Sequence, residues 1–384
     1  MDNISCEIVL GGVSSIFGLE EIKNMIEEKG VSVCFLETEY MIRNNSMNNT
    51  NIKICDEVNV EERSIFIPLN EYWLSYGHKK KIDRISDRAY KSSRSKKFFS
   101  NLLNSNNIDC CKIISLDEAQ KRISQGGKVL IKPDSYYSGH GVRIVEKRNE
   151  DKLDQYLYEA NIIADDAKRV LMIEKGLAEM WDYIEGEEYS ADVLVLDGKI
   201  DILRLCRKKI MIIDDMPCVI AYVTESITSK VQDVIQGWID LLFDKDNISF
   251  CQFDFIKKLN TNNFVPIDFS CRVGGGMTDM IKCYKHNIYQ EALEKIITKN
   301  KIIKNPAAGI YQFNILPIKC GELYSNAYNI ATGTVKKYKE EKSIINRIGG
   351  SSNDRLGCVI GDDYSDNLFD ELFCNLLIGE GYIK

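Results

Sequence analysis

Hydrophobic and polar positions change their period along the first part of the chain. A mainly apolar run at 6–12 is followed by a helix-period pattern at 19–29, and after Gly30 a second mainly apolar run occupies 31–37. A strand, a helix and a strand in this order are typical of an α/β unit with a parallel sheet. Gly11 and Gly12 fall in the first turn, but the spacing does not match the dinucleotide-binding fingerprint. We therefore interpret this turn as structural.

A second α/β stretch follows an Asn-rich, apolar-poor loop at 41–63. It begins near residue 90, with a predicted helix at 96–104 and a predicted strand at 110–115. The chain contains no internal repeat and no low-complexity segment that would indicate a solenoid or a linker. We therefore expect packed lobes around a cleft rather than an extended array.

The segment 129–144 reads as a strand, a loop of small residues and a second strand, which predicts a hairpin with a glycine-rich tip. Gly139 and Gly141 would let backbone amides approach phosphates closely, and Ser138 adds a hydroxyl donor. Lys132, at the end of the first strand, would place a positive charge near the same phosphates. The alternative to a phosphate-binding loop is a structural hairpin that binds no ligand.

Three acidic residues lie within predicted strands, and two of these strands are otherwise apolar. Glu188 lies in an alternating strand that starts after Gly186, and Asp254 and Asp268 lie fourteen residues apart on two predicted neighbouring strands. Two carboxylates that face one cleft would form a hard-oxygen site suited to Mg²⁺. Arg272 follows the second strand and could bind a phosphate or a carboxylate.

These motifs, in this order, resemble those of the ATP-grasp superfamily over roughly residues 90–330. The resemblance implies an α/β (α+β ATP-grasp) fold with ATP in a cleft between two lobes. It implies that Lys96 and Lys132 contact phosphates, although Ser95 replaces the usual Asp before Lys96. The flexible glycine-rich loop of the family corresponds to Ser138, Gly139, His140 and Gly141.

The stretch WDYIEGEEYS is similar to the adenine-hinge and ribose segment of D-alanyl-D-alanine ligases. The resemblance implies that Glu188 binds the ribose hydroxyls, that Asp254, Asp268 and Ser270 hold the metal, and that Arg272 is catalytic together with Lys132. Ser270 stands where the family has Asn, which keeps open a non-catalytic, ATP-binding alternative. The implied adenine hinge consists of Trp181, Asp182, Tyr183 and Ile184.

The C-terminal part, beyond residue 306, is similar to L-amino-acid ligases, which implies amino-acid or peptide substrates and an acyl-phosphate route to an amide. A carboxylase or a purine-type ligase with the same ATP site is the alternative. We expect ATP and Mg²⁺ as cofactors, with Mn²⁺ as a substitute for Mg²⁺. Candidate substrate contacts are Arg204, Arg207, Gly274 and Gly275.

The predicted domains are an N-terminal α/β domain (1–90), a small lobe (91–185) and a large lobe with a C-terminal subdomain (186–384). A substrate that is a peptide or is bound to a carrier is left open as an alternative to a free small molecule, and a homodimer as an alternative to a monomer.

The amino-acid composition argues against several classes of function. The net charge of −7 argues against nucleic acid as the partner, because phosphate backbones require a basic face. Thirteen cysteines without a Cys-x-x-Cys pair, and only three histidines, do not predict a zinc site. No apolar run is long enough to span a membrane, and no leader pattern precedes the first strand. We therefore expect a cytoplasmic protein with free thiols.

Overall fold

The computed structural model describes residues 8–44, 52–57, 64–134, 139, 141–171, 177–275, 278–304, 306–317, 319–323, 334–339, 342–345 and 355–376. Helices and strands alternate in the N-terminal part, and long antiparallel strands dominate the rest. The helices are α1 (Leu19–Glu28), α2 (Glu39–Asn44), α3 (Glu71–Lys80), α4 (Asp87–Arg94), α5 (Lys96–Ser105), α6 (Leu116–Ser124), α7 (Leu153–Leu171), α8 (Ser229–Leu242), α9 (Thr278–Ile281), α10 (Ile288–Thr298) and α11 (Asp366–Leu376).

The strands belong to four sheets. They are β1 (Ile8–Gly11), β2 (Val33–Leu36), β3 (Ile54–Cys55), β4 (Ile65–Pro68), β5 (Val129–Pro133), β6 (Arg143–Val145), β7 (Ala178–Asp182), β8 (Gly186–Leu196), β9 (Lys199–Ile213), β10 (Met216–Thr224), β11 (Ile248–Lys258), β12 (Phe264–Ser270), β13 (Tyr311–Ile315), β14 (Gly321–Glu322), β15 (Thr334–Lys337), β16 (Ile344–Ile345) and β17 (Gly357–Gly361).

The N-terminal lobe is the predicted α/β unit. Its four strands are parallel in the order β3-β2-β1-β4, and the amphipathic helix α1 buries its apolar face against α10 of the large lobe. Helix α3 begins after Asn70, whose side chain accepts a hydrogen bond from the Trp73 amide. This N-cap satisfies a donor that the helix itself leaves unpaired, and it places Glu71 in the first turn.

The small lobe contains the predicted hairpin. Strands β5 and β6 pair antiparallel, β7 pairs with the other edge of β5, and α6 and α7 pack on the sheet. The predicted strand at 110–115 is wrong: Ile113 forms only a single bridge to Trp181. Helix α6, which Ser115 caps, begins at once and leaves no room for a ladder.

The large lobe is built on an eight-stranded sheet in the order β12-β11-β8-β9-β10-β13-β17-β15. Alternate residues of its strands enter two different environments. Phe253, Phe255 and Phe269 join a core with α4, α5 and α8, whereas Phe250 and Leu194 join the core formed with α1 and α10. The central strands therefore contribute buried side chains to a core on each face.

Helices α4 and α5 pack on β12 of the large sheet rather than on the small-lobe sheet, although most of their residues fall within the predicted small-lobe range of 91–185. The mixed α/β architecture expected from the sequence is confirmed, and the domain boundaries stay a prediction. Across the described ranges, no helix is both long and apolar enough to cross a membrane.

Candidate active site

A cavity of about 560 Å³ opens between the small-lobe sheet and the large-lobe sheet. The small lobe contributes Leu130 and Lys132, and the large lobe contributes Glu188 and Asp254. Glu71 of the N-terminal lobe also lines the cavity. The size is within the range of small-ligand sites, so a nucleotide and a small substrate are both reasonable occupants.

The cavity is basic although the chain as a whole is acidic. Eight cationic side chains of the described residues line it against five acidic ones. This excess would attract polyanionic ligands such as nucleotide phosphates. The cations are Arg94, Lys96, Lys132, Arg207, Lys208, Lys209, Arg272 and Arg355, and the acids are Glu71, Glu187, Glu188, Asp254 and Asp268.

Lys132 and Lys96 reach the cavity from different elements. Lys132 is the penultimate residue of β5, is 8% exposed, and holds its ammonium 5.5 Å from the ring centroid of Trp181. Lys96 is the first residue of α5, and its Nζ lies 3.1 Å from Asp268 Oδ2. Ser95 caps α5 through the Phe98 amide, so the serine that replaces the usual Asp has a defined local role.

The glycine-rich loop is described only at two of the predicted positions. Gly139 lines the cavity with a φ of +72°, in the left-handed region that glycine adopts without strain. Gly141 does not line it: a Cβ there would lie 2.7 Å from Ile163 Cδ1, at a φ of +71°. Ser138 and His140 lie outside the described residues.

The predicted adenine hinge divides into two parts. Trp181 is 2% exposed and Asp182 accepts a hydrogen bond from the Lys112 amide at 2.6 Å, and neither residue lines the cavity. Tyr183 and Ile184 do line it. Together with the nearby Leu130 and Ile256 they provide apolar surface on which a planar base could pack.

Lys208 lies between Glu188, which is predicted to bind the ribose, and Asp254, which is predicted to bind the metal. The sequence analysis did not identify this lysine. Its Nζ lies 2.7 Å from Glu188 and 2.8 Å from Asp254. Burial alone would lower the pKa of Lys208, but the charges of Asp254 and Glu188 outweigh burial and raise it. The lysine therefore carries its charge at neutral pH and points it into the cavity.

Asp254 and Asp268 are directly opposite in the antiparallel pair β11–β12, and both line the cavity. Phe253, Phe255 and Phe269, at alternate positions of the same strands, face the other side, towards the core with α8. Oδ1 of Asp254 is buried and has no hydrogen-bond partner among the described residues. An orphaned carboxylate oxygen beside a second carboxylate fits a hard divalent cation.

No group of three or more His, Cys, Asp or Glu side chains that could hold a metal ion occurs within the part of the chain that is described. Two carboxylates suffice where the remaining ligands are water and substrate phosphate, which is the usual arrangement for Mg²⁺. Ser270 lines the cavity, and its hydroxyl donates to Glu71 at 3.3 Å. Its lone pairs remain suitable for a metal or for water.

Arg272 lines the cavity beside Glu71. Its Nε donates to Glu71 at 2.9 Å, and its Nη1 donates to Gln252 at 2.7 Å and to the Val273 carbonyl at 2.9 Å. Arg94 also donates to Glu71. Burial would raise the pKa of Glu71, but the charges of Arg272 and Arg94 outweigh it and hold that pKa below its ordinary value.

The four predicted substrate contacts separate into two pairs. Arg207 and Gly275 line the cavity, and Arg207 Nε lies 2.7 Å from Glu225. Arg204 and Gly274 do not line it.

Arg204 is 1% exposed and forms an ion pair with Asp192. A Cβ on Gly274 would lie 2.3 Å from Asp192 Oδ1. The pair therefore supports the backbone before Gly275, and its burial does not favour direct contact with a substrate.

Other lining residues carried no recognisable motif in the sequence. Arg355 is 4% exposed, and its guanidinium lies 5.6 Å from the ring centroid of Tyr222. The Cys111 thiol lines the cavity, and burial raises its pKa to about 12. A thiol with that pKa is protonated at neutral pH, so Cys111 does not supply a thiolate nucleophile.

Residues 126–280 match the family model of the ATP-grasp domain. The match includes the glycine-rich hairpin, Glu188, both cavity aspartates and Arg272. No curated protein matches the chain in sequence.

Solved structures of several enzymes are similar over almost the whole chain. An L-amino acid ligase from Bacillus licheniformis has a TM-score of 0.66 at 13% identity, covering 96% of this chain and 97% of that one. The biotin carboxylase domain of the 2-oxoglutarate carboxylase from Hydrogenobacter thermophilus, in complex with MgADP, ADP and bicarbonate, has a TM-score of 0.58 at 14% identity, covering 98% and 90%.

Phosphoribosylglycinamide synthetase from Anaerococcus prevotii has a TM-score of 0.56 at 14% identity, covering 96% of this chain and 97% of that one. Identities this low show the fold alone. With the domain match, they confirm the ATP-grasp resemblance that the motifs indicated.

Proposed function

We propose that this chain, which contains an ATP-grasp domain and has the ATP-grasp fold, is an ATP-dependent ligase that joins a carboxylate to an amine through an acyl phosphate. The observation that carries the proposal is the charge arrangement across the cavity. Lys208 bridges Glu188 and Asp254, and Asp268 lies opposite Asp254. This arrangement suits a nucleotide whose ribose, phosphates and bound metal lie side by side along one cleft.

The nucleotide would lie between the two sheets. Its base would pack near Tyr183 and Ile184, and Glu188 would accept hydrogen bonds from the ribose hydroxyls. Lys132 and Lys96 would contact the phosphates beneath the glycine-rich loop. Both lysines line the cavity and lie on separate lobes, so phosphate binding would also draw the lobes together.

The proposed cofactors are ATP and Mg²⁺, and Mn²⁺ would fit the same oxygen ligands. Bound Mg²⁺ would neutralise phosphate charge and orient the transferred group. Asp254 and Asp268 would hold the metal, with Ser270 as an additional oxygen ligand. Lys96, 3.1 Å from Asp268, would then turn its charge towards the phosphates as the metal neutralises the carboxylate.

The first chemical step would be attack of a substrate carboxylate oxygen on the γ-phosphorus, which breaks its bond to the bridging oxygen and releases ADP. Positioning and charge neutralisation provide most of the catalysis in such a transfer. In the second step an amine would attack the acyl carbon, lose a proton and expel inorganic phosphate. Arg272 is the residue suited to stabilise the acyl phosphate and the oxyanion.

The proposed substrates are amino acids or peptides in a pathway of peptide or natural-product assembly. The support is the structural likeness to an L-amino acid ligase over both N-terminal and C-terminal parts. We propose a cytoplasmic enzyme that acts on small molecules and binds neither nucleic acid nor membranes. A homodimer and a carrier-bound substrate are further parts of this proposal.

A carboxylase or purine-type ligase is the second candidate, favoured by the likeness to a biotin carboxylase domain and to phosphoribosylglycinamide synthetase. The test incubates the protein with Mg-ATP, pooled amino acids and hydroxylamine, and measures ADP, AMP, phosphate and hydroxamates. Amino-acid-dependent ADP and hydroxamate support the ligase. Bicarbonate-dependent ADP supports the second candidate, AMP contradicts the acyl-phosphate route, and nucleotide binding without turnover supports a non-catalytic ATP-binding protein.

A further inference from the structure

We propose that Glu71 is a positioning residue that fixes the guanidinium of Arg272 so that its remaining N–H donors face the transferred phosphoryl group. This role rests on the proposed function, because it needs a phosphoryl group bound in the cavity beside Arg272. Glu71 comes from the N-terminal lobe, outside the segment 126–280 that matches the ATP-grasp model. The carboxylate would thus tie that lobe to the reaction centre.

The donors of Arg272 show which edge of the guanidinium is held. Nε donates to Glu71, and Nη1 donates to Gln252 and to the Val273 carbonyl. Nη2 makes no hydrogen bond to any described residue. Arg272 has five N–H donors in a rigid plane, so fixing Nε and Nη1 determines where the two Nη2 donors point.

Glu71 also balances charge. It is the acid shared by Arg272 and Arg94, and its side chain is 14% exposed. Both guanidinium groups line the cavity. Without the carboxylate they would repel each other across a poorly solvated space, and Arg272 would leave its present position.

Ser270 provides a second link from Glu71 to the metal end of the site. Its hydroxyl donates to the same Oε1 atom that accepts from Arg272 Nε. The hydrogen of the hydroxyl is therefore directed at Glu71, which leaves the oxygen lone pairs for the side facing away from it. One carboxylate oxygen thus orients both the arginine and the serine.

A purely structural alternative is that Glu71 only anchors α3 to the large lobe. A matched control is Glu294, which is 19% exposed and also links the N-terminal lobe to the large lobe, through Lys29. Glu294 does not line the cavity. If anchoring were the whole role, Glu71→Gln and Glu294→Gln would behave alike.

The experiment measures the affinity for MgADP with and without aluminium fluoride, a mimic of the phosphoryl group in transfer, by calorimetry. The wild type and Glu294→Gln should bind MgADP more tightly when aluminium fluoride is present. Glu71→Gln should bind MgADP within about 2-fold of wild type but lose about 10-fold or more of the enhancement, the size expected for a charge-assisted hydrogen bond. In an Arg272→Ala background, Glu71→Gln should have no further effect.

The inference would be overturned if Glu71→Gln kept the full increase in MgADP affinity with aluminium fluoride. It would also be overturned if Glu71→Gln reduced this increase further in the Arg272→Ala background. Equal losses in Glu71→Gln and Glu294→Gln would show that Glu71 is only an anchor. If the wild type does not bind MgADP, the proposed function itself is overturned. If the wild type binds MgADP but aluminium fluoride does not increase the affinity, the proposed role of Glu71 is overturned. If Glu71→Gln does not fold, Glu71→Asp is measured instead, with an intermediate enhancement expected and an unchanged enhancement contradicting the inference.

Discussion

Lys208 Nζ lies 2.8 Å from a carboxylate oxygen of Asp254, and the two residues come from strands that are separated by β8 in the sheet. The side chain of Lys208 is 6% exposed, and it also contacts Glu188. Two acids that flank one buried lysine depend on it for charge balance. This contact therefore links the stability of the large lobe to the electrostatics of the nucleotide site.

Replacing Lys208 with Met should lower the free energy of unfolding by about 1 to 3 kcal/mol, because two partly buried carboxylates lose their partner. Nucleotide affinity should fall as well, since the cavity loses a cation. Urea unfolding and MgADP calorimetry measure the two effects. Lys295→Met, which breaks a more exposed pair with Asp201, is the control and should change neither by a comparable amount. Unchanged MgADP affinity in Lys208→Met would remove Lys208 from the nucleotide site.

Lys132→Ala and Glu188→Ala should each weaken ATP binding by about 10- to 100-fold, because each removes a charge-assisted hydrogen bond worth about 1.5 to 3 kcal/mol. Calorimetry with Mg-ATP provides the measurement, and circular dichroism checks the fold. Lys152→Ala removes a lysine that is 44% exposed and does not line the cavity, so this variant should bind ATP like the wild type. If both cavity variants bind ATP normally, the site is misplaced.

Asp268→Asn should abolish turnover while part of the nucleotide affinity remains, because base and ribose contacts are separate from the metal ligands. Chelation of Mg²⁺ by EDTA should abolish turnover of the wild type in the same way. ADP release in the amino-acid assay, at rising Mg²⁺ concentration, measures the effect. Asp201→Asn, in a half-buried pair with Lys295 away from the cavity, serves as the control. Full activity of Asp268→Asn at ordinary Mg²⁺ would show that Asp268 is not a metal ligand.

Asp215 connects the turn between β9 and β10 to the small lobe, and this contact should depend on pH. Its carboxylate accepts from Tyr156 at 2.6 Å and lies 2.7 Å from Arg148. Burial would raise the pKa of Asp215, but hydrogen bonds from Asn149 and Tyr156 and the charge of Arg148 outweigh it and lower the pKa. The stabilisation should therefore be complete above the unfolded pKa of about 3.9 and disappear as pH falls through the lower folded value.

The measurement is the difference in unfolding free energy between the wild type and Asp215→Asn from pH 7 to the acid limit of folding. The difference should be constant above about pH 5 and shrink below about pH 4. Asp214→Asn is a matched control, because Asp214 occupies the same turn with positive φ but is exposed. A difference that grows on acidification would contradict the assignment.

Gly274→Ala should destabilise the loop that follows Arg272. An added Cβ would lie 2.3 Å from Asp192 Oδ1 and 3.0 Å from Arg204 Nη2, in a buried pair that cannot move aside easily. The expected loss is about 1 to 3 kcal/mol of unfolding free energy, together with weaker MgADP binding. Gly237→Ala, in α8 with open space around it, should be neutral or stabilising. Equal behaviour of the two variants would contradict this packing argument.

Short-range patterns in the sequence were sufficient for much of the fold and for several cavity residues. The N-terminal α/β unit, the β5–β6 hairpin and the acidic positions on β11 and β12 follow from local periodicity and from the chemistry of Asp and Lys. Asp254 and Asp268 could be paired in advance because they lie on successive strands. Lys132 and Glu188 could also be predicted from the sequence, because each lies in a strand next to a recognisable turn.

Long-range packing determined the rest. Arg204, Arg207 and Lys208 lie within one basic strand, and local sequence does not show which of them meets Asp254; that depends on the register and twist of β8, β9 and β11. Glu71 reaches Arg272 across 201 positions of the chain. Such a contact has no local signature, because it forms only when separate lobes dock and bury their charges against one another.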